Sequence, residues 1–250
     1  MKKSIFQSNF RIIFLSLGFF MLGLLAISCS KDEVPNEPSN NADSSSFQFG
    51  DGTLVAVRSE TLQSTPIGDM TINIGTAVAA FSAGSNYSIL AEAGTVKVNG
   101  EALQKSDNNA YVFTPGLTLP TGIEYGNSVE WSVAGNSSNG IPSFNHTFSG
   151  GFPTVGSISS GANVSKSGFT LAIESVTNAD SVYFMVNEVY KSLPGNTTSY
   201  TFTSAELSSL TTGQGIVSVA AWRYGTSQYG GKSYYFINET VKQKTVTITN

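Results

Sequence analysis

From Gly50 to the C-terminus, apolar and polar residues alternate with period two, and Gly, Asn and Pro interrupt the alternation every few residues. Successive side chains of a strand point to opposite faces of a sheet, so this pattern commits the body of the chain to strands and leaves no long helical stretch. Strands are expected at Thr53–Val57, Met70–Ile74, Ala77–Phe81, Thr95–Val98, Ala110–Phe113, Ser128–Val133 and Ser143–Phe148. Asn99-Gly100 follows Val98 directly and predicts a two-residue hairpin turn, because both residues tolerate positive φ. A second series runs through Phe169–Ile173, Ser181–Val186, Ser199–Thr203, Ile216–Trp222, Ser233–Ile237 and Thr245–Ile248. Within it, Thr203 and Glu206 have the spacing of a capping box and predict a single helical turn. Gly150-Gly151-Phe152-Pro153 is the expected boundary. The fold class is therefore all-β, with two antiparallel β-sandwich domains at 48–151 and 152–250.

Composition narrows the chemistry. Charged residues are only 12% of the 250 and hydrophobic residues 40%, so the chain can bury a core. It has one Cys and one His, which excludes a disulfide scaffold, a zinc finger and a His-rich metal site. A formal charge of −4 and a pI near 5.0 argue against nucleic acid as a partner. No cofactor and no metal are expected.

The N-terminus carries an address. Lys2, Lys3 and Arg11 precede an uncharged run of 16 residues, Ile12–Ile27, which is shorter than the ~20 that span a bilayer. A basic start, a short apolar run and small residues describe a signal peptide, residues 1–28. The run ends in Leu25-Ala26-Ile27-Ser28-Cys29, and this segment resembles a bacterial lipoprotein signal of the relaxed type found in Bacteroidota. That resemblance implies cleavage before Cys29 and acylation of its thiol and new amino group, which together anchor a protein stably to a membrane. The alternatives are an ordinary signal peptide or an uncleaved anchor with Cys29 incidental. Ser30-Lys31-Asp32-Glu33 resembles the surface-export signal of such lipoproteins and implies an outer-membrane, outward-facing location, with the periplasmic face as the other possibility. Cleavage would remove three positive charges and no acid, taking the formal charge from −4 to −7. Residues 29–47, with two Pro and many Ser and Asn, are expected to be a disordered tether.

In 154–250 the strand Ser181–Val186, the Tyr200/Phe202–Leu207–Leu210 crossing and Val217/Val219/Ala221 are similar in order to an immunoglobulin or fibronectin type III sandwich. This resemblance implies architecture and no activity. The whole resembles a small surface lipoprotein of Bacteroidota.

Motifs that could carry chemistry are few. His146 must serve any Ser-His-Asp or Cys-His scheme, yet alternation in Ser143–Phe148 puts it on one face with Phe144 and Phe148, as a hydrogen-bonded sheet residue. No Gly-x-Ser-x-Gly elbow exists. Gly225 to Lys232-Ser233 imitates a phosphate loop, but its spacing is one residue too long and a strand follows Lys-Ser, so a hairpin loop is expected. Glu124, Glu130, Glu174, Glu188 and Glu206 show no paired arrangement for glycoside cleavage. Asp107-Asn108-Asn109 lacks the spacing of a calcium loop and reads as a turn.

The feature with most promise is aromatic. Trp222, Tyr224, Tyr229, Tyr234 and Tyr235 fall within fourteen positions around one hairpin. Flat rings stack on sugars and anchor protein partners because they bury area with few rotamers to freeze. Aromatics are also simply favoured in strands. The expected role is a non-enzymatic cell-surface lipoprotein that binds, adheres or scaffolds. Its partners would be the membrane, through acylated Cys29, and a protein or glycan ligand. The second expectation is a carbohydrate-binding accessory of a glycan-uptake system, which requires Trp222 and its neighbours to be exposed and coplanar.

Overall fold

Asn99 and Gly100 close a hairpin as their sequence predicts: φ is 47° and 86°, and Val98 pairs with Glu101 across the turn. The computed structural model describes residues 50–65, 68–83 and 86–250. The expected signal peptide, Cys29 and the tether lie outside the described residues. Residues 49–250 form one compact unit.

In chain order the strands are β1 (Gly52–Thr65), β2 (Gly68–Ala83), β3 (Asn86–Leu90), β4 (Val96–Val98), β5 (Glu101–Ala102), β6 (Gln104–Lys105), β7 (Tyr111–Phe113), β8 (Val129–Val133) and β9 (Phe144–Phe148). The second half adds β10 (Thr154–Val155), β11 (Asn163–Ser165), β12 (Gly168–Ala172), β13 (Val176–Thr177), β14 (Ser181–Val186), β15 (Val189–Pro194), β16 (Ser199–Thr203), β17 (Gly213–Tyr229) and β18 (Lys232–Thr249). A single helical turn, α1 (Ser204–Leu207), follows β16 and has the expected capping box: Thr203 Oγ1 accepts from the Glu206 N–H, and the Glu206 carboxylate accepts from the Thr203 N–H. The architecture is all-β.

A ten-stranded sheet has the order β15-β14-β17-β18-β1-β2-β7-β6, with β11 also on β18 and β3 on β2. A four-stranded sheet, β5-β4-β8-β9, and the pairs β12-β16 and β10-β13 complete the set. Two pairings depart from the antiparallel expectation. β1 runs parallel to β18, and β11 takes up the same edge of β18 where β1 leaves it, after Leu62↔Lys244 and from Asn163↔Thr247.

Several segments expected as separate strands are fused. Met70–Ile74 and Ala77–Phe81 are parts of β2, because Gly75 between them makes a close approach instead of a turn. Its N–H donates to the Thr121 carbonyl (2.9 Å), and its carbonyl accepts from the Ile123 N–H (3.0 Å). A Cβ on Gly75 would lie 1.8 Å from the Ile123 carbonyl oxygen, so only glycine fits. Likewise Ser233–Ile237 and Thr245–Ile248 are the two ends of β18, and Ile216–Trp222 is the middle of β17. The loop expected over 225–233 contracts to Gly230-Gly231, whose positive φ values (57° and 76°) allow a two-residue turn to close the long hairpin.

Two hydrophobic cores result. In the first, Val96, Val98, Val129, Trp131 and Val133 of the four-stranded sheet pack against Leu54, Ala56, Ala77, Ala79, Phe81, Tyr234 and Phe236 of the large sheet. In the second, Phe169, Leu171 and Phe202, with Leu207 and Leu210, oppose Val182, Phe184, Val186, Val217, Val219 and Ala221, completed by Val246 and Ile248. Both cores are layers between facing sheets, and each contains residues from the β17–β18 hairpin. Residues 48–151 thus supply most of the first core, and the final hairpin completes it.

Candidate functional site

The register of the large sheet sorts the hairpin aromatics onto two faces. Residues directly opposite one another in an antiparallel pair share a face. Trp222 opposes Glu239, Tyr224 opposes Ile237 and Thr226 opposes Tyr235, so Trp222, Tyr224 and Tyr235 lie together. Ser227 opposes Tyr234 and Tyr229 opposes Lys232, which places Tyr229 and Tyr234 on the other face.

This corrects the expected five-residue cluster. Tyr234 is fully buried in the first core, its ring 4.7 Å from Phe144 and 6.3 Å from Phe81. Burial, with the nearby Asp51 charge second, pushes its hydroxyl up to about 12. Tyr229 is half-buried and stacked flat on Phe144, centroids 4.4 Å apart at 8°. Its hydroxyl meets His146 Nδ1 at 2.9 Å. Core packing claims both rings because the four-stranded sheet covers that face of the hairpin.

On the remaining face the structure adds two tyrosines that the hairpin sequence does not contain. Tyr183 of β14 stacks on Trp222, centroids 4.6 Å apart at 29°, and Tyr190 of β15 follows at 6.4 Å from Tyr183. Tyr224 and Tyr235 lie 6.3 Å apart with rings tilted by 38°. Cross-strand pairing therefore builds a row from Tyr190 through Tyr183 and Trp222 to Tyr224 and Tyr235. Tyr224 is the most open member, at 46% exposure, whereas Trp222 is half-buried with one ring face occupied by Tyr183. Trp222 thus meets only part of the exposed, coplanar condition. Tyr183 and Tyr190 escape a window around the hairpin because they lie some forty residues earlier; alternation in Ser181–Val186 was the available signal.

Polar groups hold the row in place. The Tyr224 N–H donates to Asp180 Oδ2 at 2.9 Å, and the Asp180 N–H donates to the Trp222 carbonyl at 2.7 Å. The Trp222 indole faces Glu239, its cross-strand partner, whose carboxyl is buried on the same face. Burial raises this carboxyl to about 7, and the indole contact opposes the shift.

His146 is placed structurally. Its ring stacks on Phe236 with centroids 3.6 Å apart, and burial lowers its pKa. Asn109 has φ 64°, its N–H donates to the Ser106 carbonyl, and Asn108 Oδ1 accepts from the Ala110 N–H, so 106–110 is the expected turn between β6 and β7. Lys232 and Ser233 begin β18, as the hairpin reading requires. Among the described residues, no group of three His, Cys, Asp or Glu is placed to hold a metal ion. No known protein family, curated protein or solved structure matches this chain.

Proposed function

We propose that this chain is a non-enzymatic lipoprotein of the outer membrane and cell surface, anchored through acylated Cys29, whose β-sandwich body binds an extracellular partner. The anchor reading rests on the only Cys of the chain standing at the end of a short apolar run. The C-terminal sandwich is read as an immunoglobulin-type module, a scaffold suited to presenting sheet surfaces. The observation that carries a binding role is the open end of the aromatic row, Tyr224 beside Tyr235, held by Asp180. Exposed tyrosines on a rigid sheet supply contact area at little entropic cost.

A glycan ligand is the second reading. It is favoured by the neighbouring rings of Tyr224 and Tyr235, 6.3 Å apart, with the hydroxyl residues Thr226 and Ser233 on the same face. Affinity electrophoresis of residues 49–250 in gels containing single soluble polysaccharides separates the two. Retardation by one polysaccharide, lost in Tyr224→Ala, establishes the glycan reading. Unchanged mobility in every gel, with a Tyr224-dependent cross-link to a protein on intact cells, establishes the protein reading. Failure of both removes the row as a binding surface. Metabolic labelling with a palmitate analogue, lost in Cys29→Ala, tests the anchor separately.

A further inference from the structure

Among the described residues, the outer edge of β2 is open over one stretch. The outer edge of β2 pairs with β7 at Ala77–Ala79 and with β3 at Ser82 and Ala83, and the 121–123 segment closes on it at Gly75. From Asp69 to Asn73, β2 pairs only with β1 among the described residues. Strands expose their backbone groups alternately to either side. Gly75 turns its N–H and carbonyl outward to Thr121 and Ile123, so the backbone groups of Asn73, Thr71 and Asp69 also point outward. An unpaired edge is a template for another strand unless Lys, Pro, a bulge or a cover blocks it. The far edge of the same sheet, β15, carries Lys191 and Pro194. Residues 69–73 hold no lysine and no proline, and Asp69 is their one charge.

We infer that this edge pairs with the same edge of a second copy of the chain, antiparallel, about a two-fold axis at Thr71. The register follows from the ends of the open stretch. At one end the chain turns back to β1, since Gly68 is the last residue of β2 paired with it. At the other, the Thr121 carbonyl already occupies the Gly75 N–H. A partner strand in hydrogen-bonding phase must set outward residues against outward residues, and centring on Thr71 fills the space between the two obstacles. Thr71 then exchanges both backbone bonds with the partner's Thr71, and Asn73 does so with the partner's Asp69. On one face Met70 meets the partner's Ile72, and Ile72 meets the partner's Met70. Met70 is 49% exposed and Ile72 half-buried, so these pairs cover apolar surface that the single chain leaves open. On the other face Thr71 meets Thr71, a favourable cross-strand pair. The edge is thus complementary to itself, as an isologous contact requires.

Five residues bury far less than the roughly 1,200 Å² of a stable soluble dimer. Pairing is therefore strong only where the chains are already concentrated, and here the inference rests on the membrane-anchor reading. The test is oxidative cross-linking of the full chain on intact cells. Thr71→Cys should form a covalent dimer, because hydrogen-bonded partners sit about 5.5 Å apart at Cα, within disulfide reach. Its yield should exceed by about tenfold that of Leu117→Cys, which reports random collision from a fully exposed site. Adding Asn73→Pro removes an outward N–H without touching the β1 ladder and should abolish the excess. Equal yields from Thr71→Cys and Leu117→Cys overturn the inference, as does an excess that survives Asn73→Pro. Wild type reports on the anchor independently: acylated Cys29 yields no disulfide, and a wild-type dimer signals that the anchor reading has failed.

Discussion

The Arg58 guanidinium lies over the Phe152 ring, 4.0 Å from its centroid, and donates to the carbonyls of Tyr125 and Gly126. One side chain of β1 thereby joins the loop before β8 to the segment that links the two cores. Tyr125 reinforces the joint: its ring lies 5.2 Å from Phe152 and its hydroxyl donates to the Thr76 carbonyl at 2.6 Å. Burial depresses the Arg58 pKa against a weaker Tyr125 contribution, yet guanidinium stays charged throughout the working range.

Arg58→Lys should destabilise the protein by about 1–2 kcal/mol, since an ammonium cannot both cover the ring and fork between two carbonyls. The check is the denaturant midpoint compared with Lys105→Ala, which breaks an exposed ion pair with Glu92 (3.4 Å) and should shift it by less than about 0.5 kcal/mol.

Gly75→Ala should cost about 3 kcal/mol, at the upper end of overpacking effects, because the new methyl meets backbone instead of a side chain that can move. Amide hydrogen exchange should show lost protection at Ile123 before any loss in β17 or β18.

Tyr234 has a buried hydroxyl without a hydrogen-bond partner among the described residues. Tyr234→Phe should therefore leave stability unchanged or raise it by up to about 1 kcal/mol. Phe236→Ala, two residues along the same core face, should lower it by about 3–5 kcal/mol. Thermal melting of the two variants checks both signs.

The pH dependence should carry the signature of Glu239. Its folded pKa, about 7, lies above the ~4.3 of an unfolded glutamate, so the native state holds the proton more tightly. The stability this provides is complete below about pH 4.3 and is lost as pH rises through 7. Glu239→Gln should flatten that decline. His146 acts in the opposite sense: its depressed folded pKa removes stability as pH falls below about 6.5. Denaturation midpoints between pH 4 and 9 for wild type, Glu239→Gln and His146→Asn separate the two.

Tyr224→Ala should weaken partner binding by about tenfold or more and change stability by less than about 0.5 kcal/mol, because the ring is exposed. Tyr229→Ala should show the reverse, unfolding the first core's edge while leaving the open row intact. Titration of both variants against whichever ligand the affinity experiment identifies distinguishes them.

Local rules made much of this legible before any coordinates. The Asn99-Gly100 turn, the Thr203/Glu206 capping box and the span of β14 depend on residues only a few positions apart, and their chemistry is written in neighbouring letters. Alternation also told which residues of a strand share a face: Val217, Val219 and Ala221 do enter one core.

Alternation could not tell which face would be covered, and the aromatic cluster divided on that point. Trp222, Tyr224 and Tyr235 go one way and Tyr229 and Tyr234 the other, because β9 and its sheet pack on one side of the hairpin. Nor could a short window reveal that Gly75 meets Ile123, or that β1 lies beside β18 some 180 residues later. These depend on pairings between distant segments. Their free energy comes from burying two surfaces together, so neither sequence alone carries it. The amino-acid sequence determined the strands and the turns. The tertiary structure alone decided which aromatic rings became core and which stayed on the opposite face of the hairpin.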